Sequence, residues 1–183
     1  MKSTINKVIQ EIESVLIDID ELQVELFIEK ILGSKSIVVG GAGRVGLAGK
    51  GFAMRLGHLG LRAFFLGDST VPKIGGEDLL IILSGSGETQ TIFDITNIAK
   101  ANRCKIIGIT SNKTSRIARI CDNIIELKTP SKTVSENRVK SFQPMTTLNE
   151  QCLQILLDCI VLKIMDKTGE DHNSMWNRHS NLE

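Results

Sequence analysis

The chain has 183 residues, of which 42% are hydrophobic and 23% charged, and its formal net charge is +1. That length fits one domain able to bury roughly 70% of its unfolded surface, and the near-neutral charge supplies no bulk field for nucleic acid or a membrane surface. Aromatic residues make up only 4% and Tyr is absent, which argues against stacking platforms for single-stranded nucleic acid.

Apolar residues fall at helical spacing from Ile5 to Leu16 and again from Leu22 to Leu32. They predict one or two amphipathic helices, with a break at residues 18–21 and a stop at Gly33. The N-terminus lacks the unbroken apolar core of a signal peptide, and no stretch approaches ~20 consecutive apolar residues. A cytoplasmic protein without membrane partners is expected. Short apolar runs at 36–41, 62–67, 78–85, 105–112 and 123–128 read as strands. Residues 42–60, 89–103 and 114–121 read as helices, the last of them short. Residues 128–143 are polar and aperiodic and read as a surface loop. A long helix is expected from Pro144, a favoured first-turn residue, and its apolar stretch is broad enough to be buried on several sides. Gly169 ends it, and a polar tail follows. Continuous apolar strands alternating with helices imply a parallel sheet covered on both faces. The fold class is therefore α/β, a three-layer α/β/α sandwich with a five-stranded parallel sheet plus N- and C-terminal helices. The whole chain, 1–183, reads as one domain: a helical segment over 1–33, a sheet core over 34–128, and a C-terminal helix and tail over 144–183.

Cys104, Cys121, Cys152 and Cys159 form no C-x-x-C pair and lie far in sequence from the histidines. Buried free thiols are expected, and no metal site.

Two glycine turns carry the functional signal. Residues 41–46, GAGRVG, fit G-x-G-x-x-G between a strand and a helix, with Asp68 after the next strand. That pattern is the dinucleotide fingerprint, but little chain remains to form a substrate region beside a dinucleotide. A tight turn with close helix–sheet packing accounts for the same residues. Arg44 sits inside this turn, where its charge can face another anion. The second turn is SGSGET, residues 84–89. The amides of a helix's first turn lack intrahelical acceptors, and the helix dipole adds roughly half a positive charge there. Gly85 and Gly87 let the backbone approach a ligand, and Ser84, Ser86 and Thr89 add hydroxyl donors. A phosphate monoester meets these demands. No GK[ST] follows, so the turn is not a Walker loop. Simple serine capping explains one hydroxyl, not three with two glycines. The fourth strand ends in TSN, residues 110–112, on the sheet edge where open parallel sheets bind ligands.

GAGRVG, SGSGET and TSN, in this order and spacing, resemble the sugar isomerase (SIS) domain family. The long C-terminal helix and the terminal RHSNLE narrow the resemblance to its 6-phospho-3-hexuloisomerases. The similarity covers nearly the whole chain. It implies a flavodoxin-like sheet and interconversion of D-arabino-hex-3-ulose 6-phosphate with fructose 6-phosphate. It further implies no organic cofactor, a cytoplasmic homotetramer, and a place in the ribulose monophosphate pathway of formaldehyde fixation or pentose supply. Carried over residue by residue, it makes Ser84, Ser86 and Thr89 phosphate ligands, with Ser111 near the site; Gly43, Arg44, Gly87 and Glu88, from the two turns themselves, are also expected beside the substrate. Gly49, Gly51 and Gly57 depart from the pattern as extra glycines within a helix, each costing up to ~1 kcal/mol relative to Ala.

Moving a ketone from C3 to C2 needs one base near both carbons and a 2,3-enediol between them. Glu150, about two turns into the long helix among Leu148, Leu153, Leu156 and Leu157, is the candidate, its pKa raised by partial burial. A solvated helix carboxylate or a packing salt bridge is the structural alternative. Glu88 is the rival base, although capping at a helix start competes for it. His179 is the second candidate, as a proton shuttle and for opening the fructose 6-phosphate ring; an exposed tail histidine is its plain alternative. His58 and His172 have weaker claims. Arg44 is assigned to the enediolate or the phosphate, against a surface ion pair. Two further readings stay open: a non-catalytic sugar-phosphate-binding protein of this fold, although no basic recognition helix is visible, and an arabinose 5-phosphate isomerase, although its usual C-terminal regulatory pair is lacking.

Overall fold

A computed structural model describes residues 1–131 and 140–182. The N-terminal segment forms two helices, α1 (Lys2–Leu16) and α2 (Glu21–Leu32). Asp20 sets the break, its carboxylate accepting from the amides of Leu22 and Gln23, which relieves orphan donors at a helix start. Five parallel strands follow: β1 (Ile37–Gly41), β2 (Ala63–Phe65), β3 (Leu79–Leu83), β4 (Lys105–Thr110) and β5 (Asn123–Glu126). They lie in the order β2-β1-β3-β4-β5, with Ile37 beside both Ala63 and Leu79. The helices are α3 (Gly43–His58), α4 (Gln90–Ala101), α5 (Thr147–Thr168) and the short α6 (His172–Trp176).

Alternation along the buried strands divides the interior. Ile37, Val39, Leu79, Ile81, Leu83, Ile107 and Ile109 face a core closed by α1, α2, α3 and α5. Val38, Leu80, Ile82 and Ile106 face a smaller one closed by Ile92 and Ala99 of α4 and by Ile117. The expected three layers are therefore present, and α5 is buried on several sides because α1, α2 and α3 all pack on it. Gly49 is required by this packing: a Cβ there would come within 2.8 Å of Leu83 Cδ1. A Cβ at Gly51 or Gly57 would meet nothing within 4 Å.

Three expectations differ from the structure. Residues 114–121 form turns, not a helix, because the amides of Arg116 and Ile117 bond outward to Glu88 Oε1 at 3.0 Å and Gly87 O at 3.2 Å. Helix α5 starts at Thr147 and not at Pro144, because Met145 takes a left-handed φ of 55° that no helix accommodates. Within the expected loop 128–143, Thr129 is fully buried and residues 132–139 lie outside the described residues. The thiols also differ from one another. Cys104 and Cys152 are buried and Cys121 is half-buried, but Cys159 is exposed. Burial pushes Cys104 up to about 11 and Cys121 and Cys152 up to about 12. Among the described residues no helix is long and apolar enough to cross a membrane, and no three His, Cys, Asp or Glu side chains group as metal ligands.

Candidate active site

The strand order reverses at β1: the chain steps to β2 on one side, then to β3 on the other. Such a switch point opens a crevice at the carboxyl ends of the two central strands. Both glycine turns lie there. The cleft they form has a volume of about 350 Å³, within the ~300–1,000 Å³ of small-molecule pockets. Gly43 and Arg44 line it from the start of α3, Ser84, Ser86 and Thr89 from the turn before α4, and Thr146, Asn149 and Glu150 from the start of α5. Three helix N-termini thus converge on one cleft, each contributing partial positive charge.

The turn after β3 is braced by its own side chains. Ser84 Oγ accepts from Gly87 N at 3.1 Å and lies 3.5 Å from Thr89 Oγ1. Ser86 Oγ accepts from Glu88 N at 3.2 Å. A hydroxyl that accepts from an amide still carries a proton to donate. Gly87 has φ 66°, and a Cβ on it would fall 2.0 Å from Ser115 Oγ. Gly85 is needed for a different reason, since a Cβ there would press on Asn149 Oδ1 at 2.9 Å. In the first turn, Gly46 lets α3 pack on β1: its Cβ would lie 2.6 Å from Gly41 O. Close helix–sheet packing therefore accounts for part of the G-x-G-x-x-G pattern. Asp68, the acid considered for a ribose, faces Lys50 at 3.5 Å.

Glu150 reaches the cleft, but from the first turn of α5 and not two turns in, as follows from the later helix start. Its side chain is 14% exposed and its Oε2 lies 2.8 Å from Arg44 Nη1. Its Oε1 accepts from Thr146 Oγ1 at 3.0 Å. The ion pair offered as an alternative for each of these residues is thus a single pair joining them. Arg44 and Glu150 also wall a second hollow of about 440 Å³, bounded by Ile12 of α1.

Three expected site residues are placed elsewhere in this chain. Glu88 turns away from the cleft: Arg116 N reaches its Oε1 at 3.0 Å and Arg116 Nε its Oε2 at 3.1 Å. Arg116 also donates to Glu88 O and lies 4.4 Å over the Phe93 ring. Ser111 is fully buried beneath the cleft floor. Its Oγ accepts from Asn149 Nδ2 at 2.7 Å and lies 2.7 Å from Thr129 Oγ1, to which Asn149 Nδ2 donates at 2.8 Å. That buried triangle ties the first turn of α5 to the ends of β4 and β5. His179 lies between His58 and Trp176, tilted against the first and stacked on the second, with ring centroids 5.2 Å and 5.1 Å away. It sits beside the C-terminal end of α3, about 21 Å along the helix axis from Arg44 at 1.5 Å per residue. His172 belongs to the same cluster, 6.0 Å from Trp176.

Sequence reasoning missed Thr146, Asn149 and Arg116. Asn149 left a trace, as an amide inside an apolar helix that needs a partner; the other two left none.

Known proteins similar to this chain identify its family. The SIS domain model matches residues 30–154. The 3-hexulose-6-phosphate isomerase of Bacillus subtilis (strain 168) is 36% identical over the full length of both chains. A protein of the same name from Methanocaldococcus jannaschii is 33% identical, over 87% of this chain and 84% of its own. Among solved structures, the Methanococcus jannaschii protein MJ1247, whose structure was described as inferring a 3-hexulose-6-phosphate isomerase function, superposes with a TM-score of 0.86. It is 30% identical and covers 99% of each chain. The chain belongs to the SIS domain family and is an isomerase.

Proposed function

We propose that the cleft interconverts D-arabino-hex-3-ulose 6-phosphate and fructose 6-phosphate. One observation carries the reading: a largely buried carboxylate, Glu150, shares a 350 Å³ cleft with the hydroxyl- and glycine-rich turn that opens α4. The phosphate sits over the α4 N-terminus, held by first-turn amides and by Ser84, Ser86 and Thr89. The carbon chain then extends toward α5. Glu150 removes the C2 proton of the hexulose, the C–H electrons form the C2=C3 bond, and the carbonyl electrons pass to O3. Returning the proton to C3 while O2 becomes the carbonyl completes the transfer, with the O2 proton passing to O3. Arg44 balances charge on the enediolate. The double engagement of Glu88 by Arg116 supports Glu150 over Glu88 as the base. His179 opens the fructose 6-phosphate ring only if supplied by a neighbouring copy, consistent with a homotetramer. The names of the similar proteins support the reaction, and with it a cytoplasmic role in formaldehyde fixation or pentose supply. Conversion of enzymatically generated hexulose phosphate to fructose 6-phosphate, coupled to a fructose 6-phosphate assay without added metal or nucleotide, tests the reading. Tight sugar-phosphate binding without turnover would favour the non-catalytic alternative.

A further inference from the structure

The wall of the cleft that carries Met145 and Thr146 is fastened from the far end of the sequence. Glu11 on α1 accepts three hydrogen bonds from the segment leading into α5. Phe142 N donates to its Oε1 at 2.9 Å, and Ser141 Oγ and Gln143 Nε2 donate to its Oε2 at 2.8 and 3.0 Å. Ser141 Oγ also accepts from Gln143 N at 3.0 Å, closing the cluster. Partial burial pushes the Glu11 carboxyl up, but the bonds from Gln143, Phe142 and Ser141 outweigh it and hold the group below the usual carboxylate range.

From this anchor a chain of contacts runs to the base. Pro144 O accepts from Thr147 N at 3.2 Å and Thr147 Oγ1 at 2.7 Å. Met145 turns the backbone through its left-handed conformation. Thr146 O accepts from Glu150 N at 3.1 Å, and Thr146 Oγ1 donates to Glu150 Oε1. A left-handed Met is strained by its Cβ and persists only where its surroundings fix it. Glu11 supplies that fixation on one side, and the buried Asn149 triangle on the other.

We infer that Glu11 is a positioning residue for the isomerase: it latches residues 141–146 so that Thr146 holds the Glu150 carboxylate in its reactive orientation. The inference rests on Glu150 as the base. The turn proposed to hold the phosphate lies between β3 and α4, on a different segment from residues 141–146, so releasing the latch lowers kcat and leaves KM in place.

The test uses the full chain with Glu11→Ala, Glu11→Gln and the swap Glu11→Gln/Gln143→Glu, in which the new amide donates where the carboxylate had accepted. A misplacement of about 1 Å from a remote change can cost up to about a hundredfold in rate. Both single variants are expected to lose about ten- to a hundredfold in kcat, with KM for fructose 6-phosphate within about twofold, and the swap to recover most of the loss. Wild-type kcat in both single variants overturns the inference, as does a loss that the swap leaves unrestored. Should Glu11→Ala fail to fold, the near-isosteric Glu11→Gln carries the test. Amide hydrogen exchange over residues 140–147 separates the latch from the assigned reaction. Faster exchange in the single variants and restored protection in the swap are expected; unchanged protection overturns the latch even if the wild-type protein proves to catalyse another isomerisation.

Discussion

Arg44 Nη1 lies 2.8 Å from Glu150 Oε2, across a cleft whose other wall is the hydroxyl-rich turn after β3. Arg44 is the second residue of α3 and Glu150 the fourth of α5, so the pair joins two helix starts from opposite ends of the chain. Arg44 is 62% exposed and Glu150 14% exposed. The exposed partner is free to follow an arriving anion while the carboxylate keeps its place through Thr146.

Glu150→Gln removes the proposed base and keeps the shape. Loss of a positioned general base costs typically ~10²–10⁴-fold in rate, so turnover is expected to fall by at least about a hundredfold. Fructose 6-phosphate binding, read by calorimetry, is expected to stay within about threefold, because the proposed phosphate ligands lie in the turn before α4. Arg44→Ala should reduce kcat/KM, and Arg44→Lys should restore part of it by returning charge without the planar fork. Wild-type turnover in Glu150→Gln would move the base to another residue.

The glycines separate by position. Gly87→Ala places a methyl group 2.0 Å from Ser115 Oγ at a backbone φ of 66°. A residue held in a sparsely populated backbone region costs of order 1–3 kcal/mol, before the steric overlap is counted. Both stability in denaturant and sugar-phosphate affinity are expected to drop. Gly51→Ala meets open space within α3 and is expected to stabilise the protein by up to about 1 kcal/mol. The reverse ranking in urea melts would contradict the turn geometry.

Much of this was legible in the sequence, and the rest was hidden for physical reasons. The uninterrupted apolar run of residues 79–83 and the abrupt change at Ser84 mark a buried strand feeding a binding turn, because few other arrangements satisfy both. The first turn of α5 was hidden, because the left-handed Met145 delays the helix without any glycine to announce it. Ser111 reads as a polar strand end, but its burial depends on Asn149 and Thr129, which are 38 and 18 residues away. Glu88 looked available because Arg116 is 28 residues distant, and Glu11 reaches its partners across about 130 positions. Periodicity reports the face a residue shows its own element, and carries nothing about such pairings.

The tail offers a pH test. Arg178 forks onto Glu170, with Nη1 2.7 Å from Oε2 and Nη2 2.9 Å from Oε1, and also donates to His58 O at 3.0 Å. The Arg178 hydrogen bond, followed by that of Ser174, lowers the Glu170 carboxyl to about 2. Because the folded value lies below the ordinary carboxylate value of 4.5, the stabilisation is fully present above about pH 4.5 and is lost as pH falls through about 2. The difference in urea stability between the wild-type protein and Glu170→Gln is therefore expected to hold down to about pH 4.5 and to close as pH falls through about 2.

His179 decides whether one chain is sufficient. Within a chain its ring lies against His58 and Trp176, at the opposite end of α3 from Arg44. A histidine serving its own cleft from there would have to cross the length of the helix. A catalytic role therefore requires a second copy whose tail meets this cleft. His179→Ala and Glu150→Gln should then each be inactive alone, while mixing and reassembling the two should restore activity. In a site shared between two chains, one of four random pairings joins an intact Glu150 to an intact His179, so recovery near a quarter of wild type is the expected result. Full activity of His179→Ala by itself would confine the chemistry to Glu150 and the residues around it.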